Sequence, residues 1–278
     1  MRLKILITVK AYPAISRKYN ETVCTAGITE EGKWIRIYPI PFRQLNYDKQ
    51  FRKYEWIELT LERNLSDFRP ESFRPKDLFL KDMVSYGVVE PDGDIWMERR
   101  KFILKKVYTN LEHLISEAKN LKICTSLAVF KPTQILDFTY EVTEREWNKK
   151  KINYLETKKL QLNLFDNQDE EDISEFELVN KLPFKFSFSF KDDSEKKSKL
   201  MIEDWETGML FGNSLIRHHG NEKKACDDVK NKYFNDFART KDYYLFLGTT
   251  MLYHLTAPNR FVIIGDFRPK HIIQENLF

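Results

Sequence analysis

Residues 21–38 read ETVCTAGITEEGKWIRIY. Two runs rich in β-branched and aromatic residues, Glu21 to Ile28 and Trp34 to Tyr38, flank the turn Glu30-Glu31-Gly32-Lys33. Such runs around a short glycine-containing turn predict a β-hairpin. Upstream, Leu3 to Val9 is apolar apart from Lys4 and reads as a first strand, with a loop over Tyr12 to Asn20. Downstream, Tyr54 to Glu62 and Ile103 to Tyr108 are further strand candidates, followed by extended segments at Ser126 to Phe130 and Gln134 to Val142. Leu111, Leu114, Ile115 and Ala118 recur at helical spacing and predict a helix over Asn110 to Leu121, with a second, lysine-rich one over Glu144 to Lys158.

Phe184, Phe186, Phe188 and Phe190 alternate with Lys185, Ser187, Ser189 and Lys191. This period of two predicts a strand with one buried face. Two helices, Asp204 to Arg217 and Glu222 to Phe237, and two more strands, Tyr243 to Leu247 and Phe261 to Ile264, complete the chain. The predicted class is α+β. A β-rich N-terminal lobe, read as a small barrel or half-barrel, is followed by an α/β C-terminal lobe.

The 278 residues carry 46 Lys and Arg against 42 Asp and Glu, a net charge of +4 that is unevenly spread. Residues 166–177 hold seven acids and no base, whereas residues 1–165 hold 30 bases and 22 acids. The acidic, aperiodic stretch predicts a solvated linker at 166–175 between lobes at 1–165 and 176–278. Aromatics at 14% argue against a disordered chain. No apolar run approaches the roughly 20 residues of a spanning helix, and the N-terminal run is too short for a signal peptide. Three scattered cysteines, Cys24, Cys124 and Cys226, fit reduced thiols in a cytoplasmic protein.

Bases and aromatics interleave in two places. Ala11 to Tyr19 contains Arg17, Lys18 and Tyr19. Trp34 to Arg74 contains Arg36, Tyr38, Phe42 and Arg43, then Phe-Arg-Pro twice, presenting Arg69 and Arg74. Arginine and lysine neutralise phosphates and aromatic rings stack on unpaired bases, so these nine residues are the expected contacts of a nucleic-acid-binding protein, DNA or RNA. The competing reading of Arg69 and Arg74 is an ion-pair network with Asp67, Glu71 or Asp77.

Glu203-Asp204-Trp205-Glu206 opens a helix, where Asp204 reads first as an N-cap. With Asp266, and Lys270 nearby, the same acids are the only candidates for a metal-dependent nuclease. His218 and His219 are adjacent and face different sides of a helix, which makes them a poor metal site. No nucleotide-binding glycine motif and no serine or cysteine nucleophile motif occurs, so no cofactor or metal is expected. Three readings stay open: nucleic-acid binding, a nuclease, or a non-enzymatic subunit whose aromatics and arginines meet a protein partner.

The segments Glu21 to Ile28, Trp34 to Arg43, Phe68 to Arg74, Glu203 to Glu206 and Lys241 to Thr249 resemble an uncharacterised prokaryotic protein family over most of the chain. The resemblance supplies no catalytic residues. Some members of that family carry a cysteine and a histidine before the Asp-Trp-Glu element, and Asp192 to Lys199 here has neither. Families of this kind often belong to defence or mobile-element loci, which is the expectation the resemblance adds to nucleic-acid binding.

Overall fold

The computed structural model describes residues 1–16, 18–155, 157 and 178–272. Strand β1 (Arg2–Lys10) pairs antiparallel with β3 (Asn20–Ile28) on one side and with β5 (Glu55–Arg63) on the other. β3 pairs with β4 (Trp34–Ile40), β4 runs parallel to β6 (Ser72–Pro75), and β6 returns to β5. The five strands therefore close into a barrel, as the N-terminal lobe was expected to do. The short β2 (Ala14–Ser16) and β7 (Val84–Val88) add to its edges.

Ile5, Ile7, Val23, Ile37, Ile57 and Leu59 fill the barrel. Leu6, of opposite parity, points outward, and a β-bulge between Ile7 and Val9 turns Val9 the same way; both are apolar and buried against Phe246 and Ile264. That second layer belongs to a sheet of β8 (Val107–Tyr108), β9 (Leu127–Phe130), β13 (Tyr244–Thr249) and β14 (Phe261–Phe267). A strand buried on both faces reads as a continuous apolar run, which is why Leu3 to Val9 shows no alternation.

A third sheet holds β10 (Gln134–Val142), β11 (Phe184–Lys191) and β12 (Lys197–Met201). The four phenylalanines of β11 are all buried, packed with Phe138, Phe211 and Tyr233. Helices α2 (Leu111–Lys119), α3 (Trp205–Arg217) and α4 (Glu222–Lys230) cover that core, and α4 runs on through a π-helical turn at Asn231–Phe237. The expected linker at 166–175 lies outside the described residues. The strands on either side of it, β10 and β11, pair along their whole length.

Two expectations fail locally, and one strand was not expected at all. Ile103 to Tyr108 is not a strand: Ile103 ends helix α1 (Met97–Ile103), and only Val107–Tyr108 is extended. Arg99 and Ile103, four residues apart, share the buried face of that helix, with the Arg99 guanidinium 4.2 Å from the Tyr54 ring. The loop over Tyr12 to Asn20 contains β2. Ser72–Pro75, hidden among prolines, is the strand that closes the barrel. Arg63 holds the approach to it, donating to the carbonyls of Asp67 (3.2 Å) and Arg69 (2.7 Å).

The barrel is also tied to α3 through charge. Lys53 Nζ lies 2.9 Å from Glu206 and 3.6 Å from Asp266, and Arg268 pairs with both acids. Asp204 caps α3 as expected, accepting from Thr207 N at 3.0 Å, while the Tyr233 hydroxyl lies 3.4 Å away. Burial, with Glu206 and Asp266 close by, pushes the Asp204 carboxyl up to about 7. Glu206 is only half-buried, and against partial desolvation Lys53 and Arg268 hold it down at about 2.

Two outcomes follow from this packing. Phe188→Ala, at a fully buried ring, should cost about 3–5 kcal/mol of unfolding free energy, read by urea denaturation. Asp204 has a higher pKa folded than unfolded, so it destabilises the fold progressively as pH rises from about 4 towards 7. Asp204→Asn keeps the cap. The denaturation midpoint of the variant should therefore gain on the wild type between pH 5 and 7 and level off above that. A pH-independent difference would mean that Asp204 is ionised in the folded protein throughout.

Candidate nucleic-acid interface

The structure separates the nine expected contact residues. Arg17 lies outside the described residues. Lys18, Tyr19, Tyr38 and Arg43 come together where β3 begins and β4 ends. The Lys18 ammonium is 5.1 Å from the Tyr19 ring, and Gln44 donates to the Tyr19 carbonyl at 3.4 Å. Arg43 pairs with buried Glu21 at 2.8 Å, and Tyr38, 39% exposed, accepts from Thr22 at 3.4 Å. Arg74 is exposed on β6 and pairs with Glu62 at 2.9 Å, not with Glu71 or Asp77.

Arg36, Arg69 and Phe42 are buried, and their side chains are taken up by contacts within the fold. Phe42 packs edge-on against Phe51 and Trp205, with ring centroids 4.9 and 5.6 Å apart. Arg69 grips Asp67 with both arms of its fork, Nε to Oδ1 at 2.8 Å and Nη2 to Oδ2 at 2.5 Å, and donates to the Thr249 carbonyl. Although burial pushes Asp67 upward, hydrogen bonds from Arg69 and Ser72 take it down to about 2. Arg36 donates to Ser126 Oγ (2.7 Å), Ser72 Oγ (3.3 Å), the Ser126 carbonyl (3.2 Å) and the Thr249 carbonyl (3.4 Å). The ion-pair reading is correct for Arg69 with Asp67. Arg36 instead stitches the barrel to β9 and β13.

These buried arginines stand behind the floor of a cleft of ≈ 250 Å³ lined by Lys33, Trp34, Glu71, Phe102, Lys105 and Lys106. Glu71 is spoken for: its Oε1 accepts from Ser126 N at 2.9 Å and Ser126 Oγ at 2.6 Å. The cleft opens between the tip of the β3–β4 hairpin and the segment joining α1 to β8. Gly32 makes that tip, with φ +88°, and a Cβ there would lie 2.9 Å from Lys105 Cδ. Lys105 drapes over the glycine and donates to the Glu30 carbonyl. Lys106 sits 4.6 Å from the Tyr108 ring and 3.8 Å from Glu117, and its bond to Tyr108 raises its pKa. Lys33 has no ion-pair partner among the described residues.

Two half-buried aromatics, Trp34 and Phe102, thus meet three exposed lysines from chain segments some 70 residues apart. Of these five, only Trp34 was singled out in the sequence. Cys124, also lining the cleft, is buried with φ +52°. Burial raises its thiol pKa, which leaves it unreactive. Its sulfur is 3.5 Å from His254 Nε2, and that fully buried ring is itself held by Thr249 Oγ1 at 2.7 Å.

Glu203 to Glu206 do not assemble a metal centre with Asp266. Lys53 and Arg268 occupy the space between the carboxylates, and no acid, histidine and cysteine group among the described residues is arranged to hold a metal ion. Lys270 points away and pairs with Asp94 at 2.5 Å. No helix among the described residues is long and apolar enough to cross a membrane.

No curated protein matches the chain. Among solved structures, a murine DNA-binding protein bound with double-stranded DNA aligns over 98% of this chain and 97% of that chain. The identity is 10% and the TM-score 0.29, too low to carry an argument about fold or ligand. Neither this structure nor the two family descriptions below bears on a defence or mobile-element role. Residues 1–105, the barrel together with α1, match the family model described as Domain of unknown function (DUF8758). Residues 107–278 match the one described as Domain of unknown function (DUF8757), so the two meet immediately before β8. The chain belongs to the DUF8757 family, whose model takes in more than half of its residues, and carries a DUF8758 domain ahead of it.

Proposed function

We propose that this protein binds nucleic acid and that the cleft beside the hairpin tip takes an unpaired base. The supporting observation is the convergence of Lys33, Lys105 and Lys106 around Trp34 and Phe102, above a glutamate already satisfied by Ser126. Aromatic rings offer a stacking surface to any base, and lysines at the rim meet the phosphates on either side of it. A pocket of ≈ 250 Å³ has room for one base and not for a duplex. Lys18, Tyr19, Tyr38 and Arg43, at the far end of the same hairpin, extend the path along which a strand would run. Arg36 serves it indirectly by bonding Ser126, and Arg69 by bonding Thr249, whose N donates to the Ser126 carbonyl.

The test is a salt titration of binding to a fluorescently labelled single-stranded oligonucleotide. For every phosphate that is no longer neutralised, the slope of log affinity against log salt should fall by about 0.7. Lys33→Ala with Lys106→Ala should therefore lower it by about 1.4 and weaken binding at low salt, while Arg74→Ala changes little. Wild-type binding with a steep slope that the double variant leaves intact would move the interface away from the cleft. Absence of binding at low salt would overturn the reading.

A further inference from the structure

The strict alternation of β11 has a second face. Lys185 and Ser187 point away from the phenylalanine core, together with Glu141 of β10 and Lys199 and Met201 of β12. They form one wall of a groove of ≈ 550 Å³ whose other wall is the turn from Thr250 to Asn259 and the start of β14. Tyr253, Phe261 and Val262 make that wall largely apolar. Glu141 bridges the two lysines, 3.0 Å from Lys185 and 2.6 Å from Lys199.

Two charged groups of opposite sign line this groove without pairing with each other. Arg260 is 5% exposed, and its Nη2 donates to the Ala257 carbonyl at 2.8 Å. Its Nε has no partner, and no carboxylate pairs with its guanidinium among the described residues. Thr250 Oγ1 is buried and unpartnered as well. The backbone of Glu203 is fixed, its N donating to the Ile263 carbonyl at 2.7 Å and its carbonyl accepting from Tyr12 N at 3.2 Å. Its carboxyl has neither a hydrogen bond nor an ion pair among the described residues, and burial alone acts on it. Native proteins seldom leave buried polar groups unsatisfied, and a buried charge without a partner is costly. Arg260 and Thr250 are two such groups, and with the half-buried, unpaired Glu203 carboxyl on the same groove they are what a bound ligand would complete.

We propose that the groove binds a guanine nucleotide. The ligand must bring an anion for Arg260 and adjacent N–H donors for Glu203, on a body flat and apolar enough to lie against Tyr253 and Val262. A nucleotide has the phosphate and the ring. Guanine is the base with two neighbouring donors, N1–H and the exocyclic amine, and a carboxylate accepts such a pair through both oxygens. Lys185 and Lys199, about half exposed, lie at the rim for a phosphate that extends outward. The site is separate from the cleft beside the hairpin tip, and its occupancy does not depend on nucleic-acid binding there.

Titration calorimetry of the full chain with GMP and with AMP tests the assignment. GMP should bind saturably, and AMP at least about tenfold more weakly, the scale of the net contribution of a hydrogen bond. Glu203→Gln should weaken GMP by about tenfold and leave AMP unchanged, without lowering the melting temperature, since the backbone bonds of Glu203 remain. Lys199→Ala should weaken GMP but not guanosine, and provides a check on the phosphate end that does not rely on Glu203. Failure of GMP to saturate would overturn the proposal. So would equal binding of GMP and AMP, or GMP binding indifferent to both substitutions.

Discussion

Strand β1 is wanted on both of its faces. Ile5 and Ile7 go into the barrel, while Leu6 and Val9 go into the layer shared with β13 and β14. Everything else is arranged around that double burial. The approach is close: opposite β1, a Cβ at Gly27 would lie 2.4 Å from the Leu6 carbonyl oxygen, so only glycine lets β3 lie there. With β1 pinned between two cores, the barrel cannot turn against the second sheet. The hairpin tip must then stand opposite the α1–β8 segment, and Lys53 must stand opposite Glu206. The positions of the cleft and of the buried ion-pair network are consequences of this packing.

Elements with a strong local rhythm were legible in the sequence. The hairpin of β3 and β4, the apolar β1, the alternating β11 and the amphipathic α2 all lie where periodicity placed them. Elements whose identity depends on distant partners were not. Ser72–Pro75 contains a proline and too few residues for a rhythm, and it is a strand only because β4 and β5 flank it. Ile103 and Leu104 look β-prone, but Arg99 one turn earlier has the Tyr54 and Trp96 rings to lie against, and helix follows. The site suffered most. The dense arginine segment did mark an important region, yet sequence could not tell which of its bases would be buried. Arg36 is claimed by Ser126 and Thr249, 90 and 213 residues away. Lys105 and Lys106 carry no local signal at all.

The buried charges are compensated in three different ways. Around Lys53 and Arg268, full charges oppose full charges, which holds the barrel and α3 in one relative position. Arg36 has only hydroxyls and carbonyls, so its charge is spread over dipoles of three chain segments and its loss would loosen all of them at once. Arg260 has one carbonyl and an idle Nε. Guanidinium groups at these three levels of satisfaction, within one fold, separate structural bonds from capacity held in reserve. The first two kinds fix geometry, and the third leaves a valence that something from outside can fill.

The pairing of β10 with β11 has a consequence for how this fold tolerates change. Val142 lies opposite Phe184, and Thr143 N donates to the Pro183 carbonyl at 2.9 Å. The two ends of the stretch between them are therefore fastened side by side by the sheet itself. Closing a longer loop costs little once its ends are held, about 0.6 kcal/mol for each doubling of length. Length added within that stretch is therefore cheap so long as its described ends keep their contacts, such as Val179 N with Glu21 and the Asn180 carbonyl with Tyr12. An extra domain grafted between ends so fastened would leave the pairing of β10 with β11 in place.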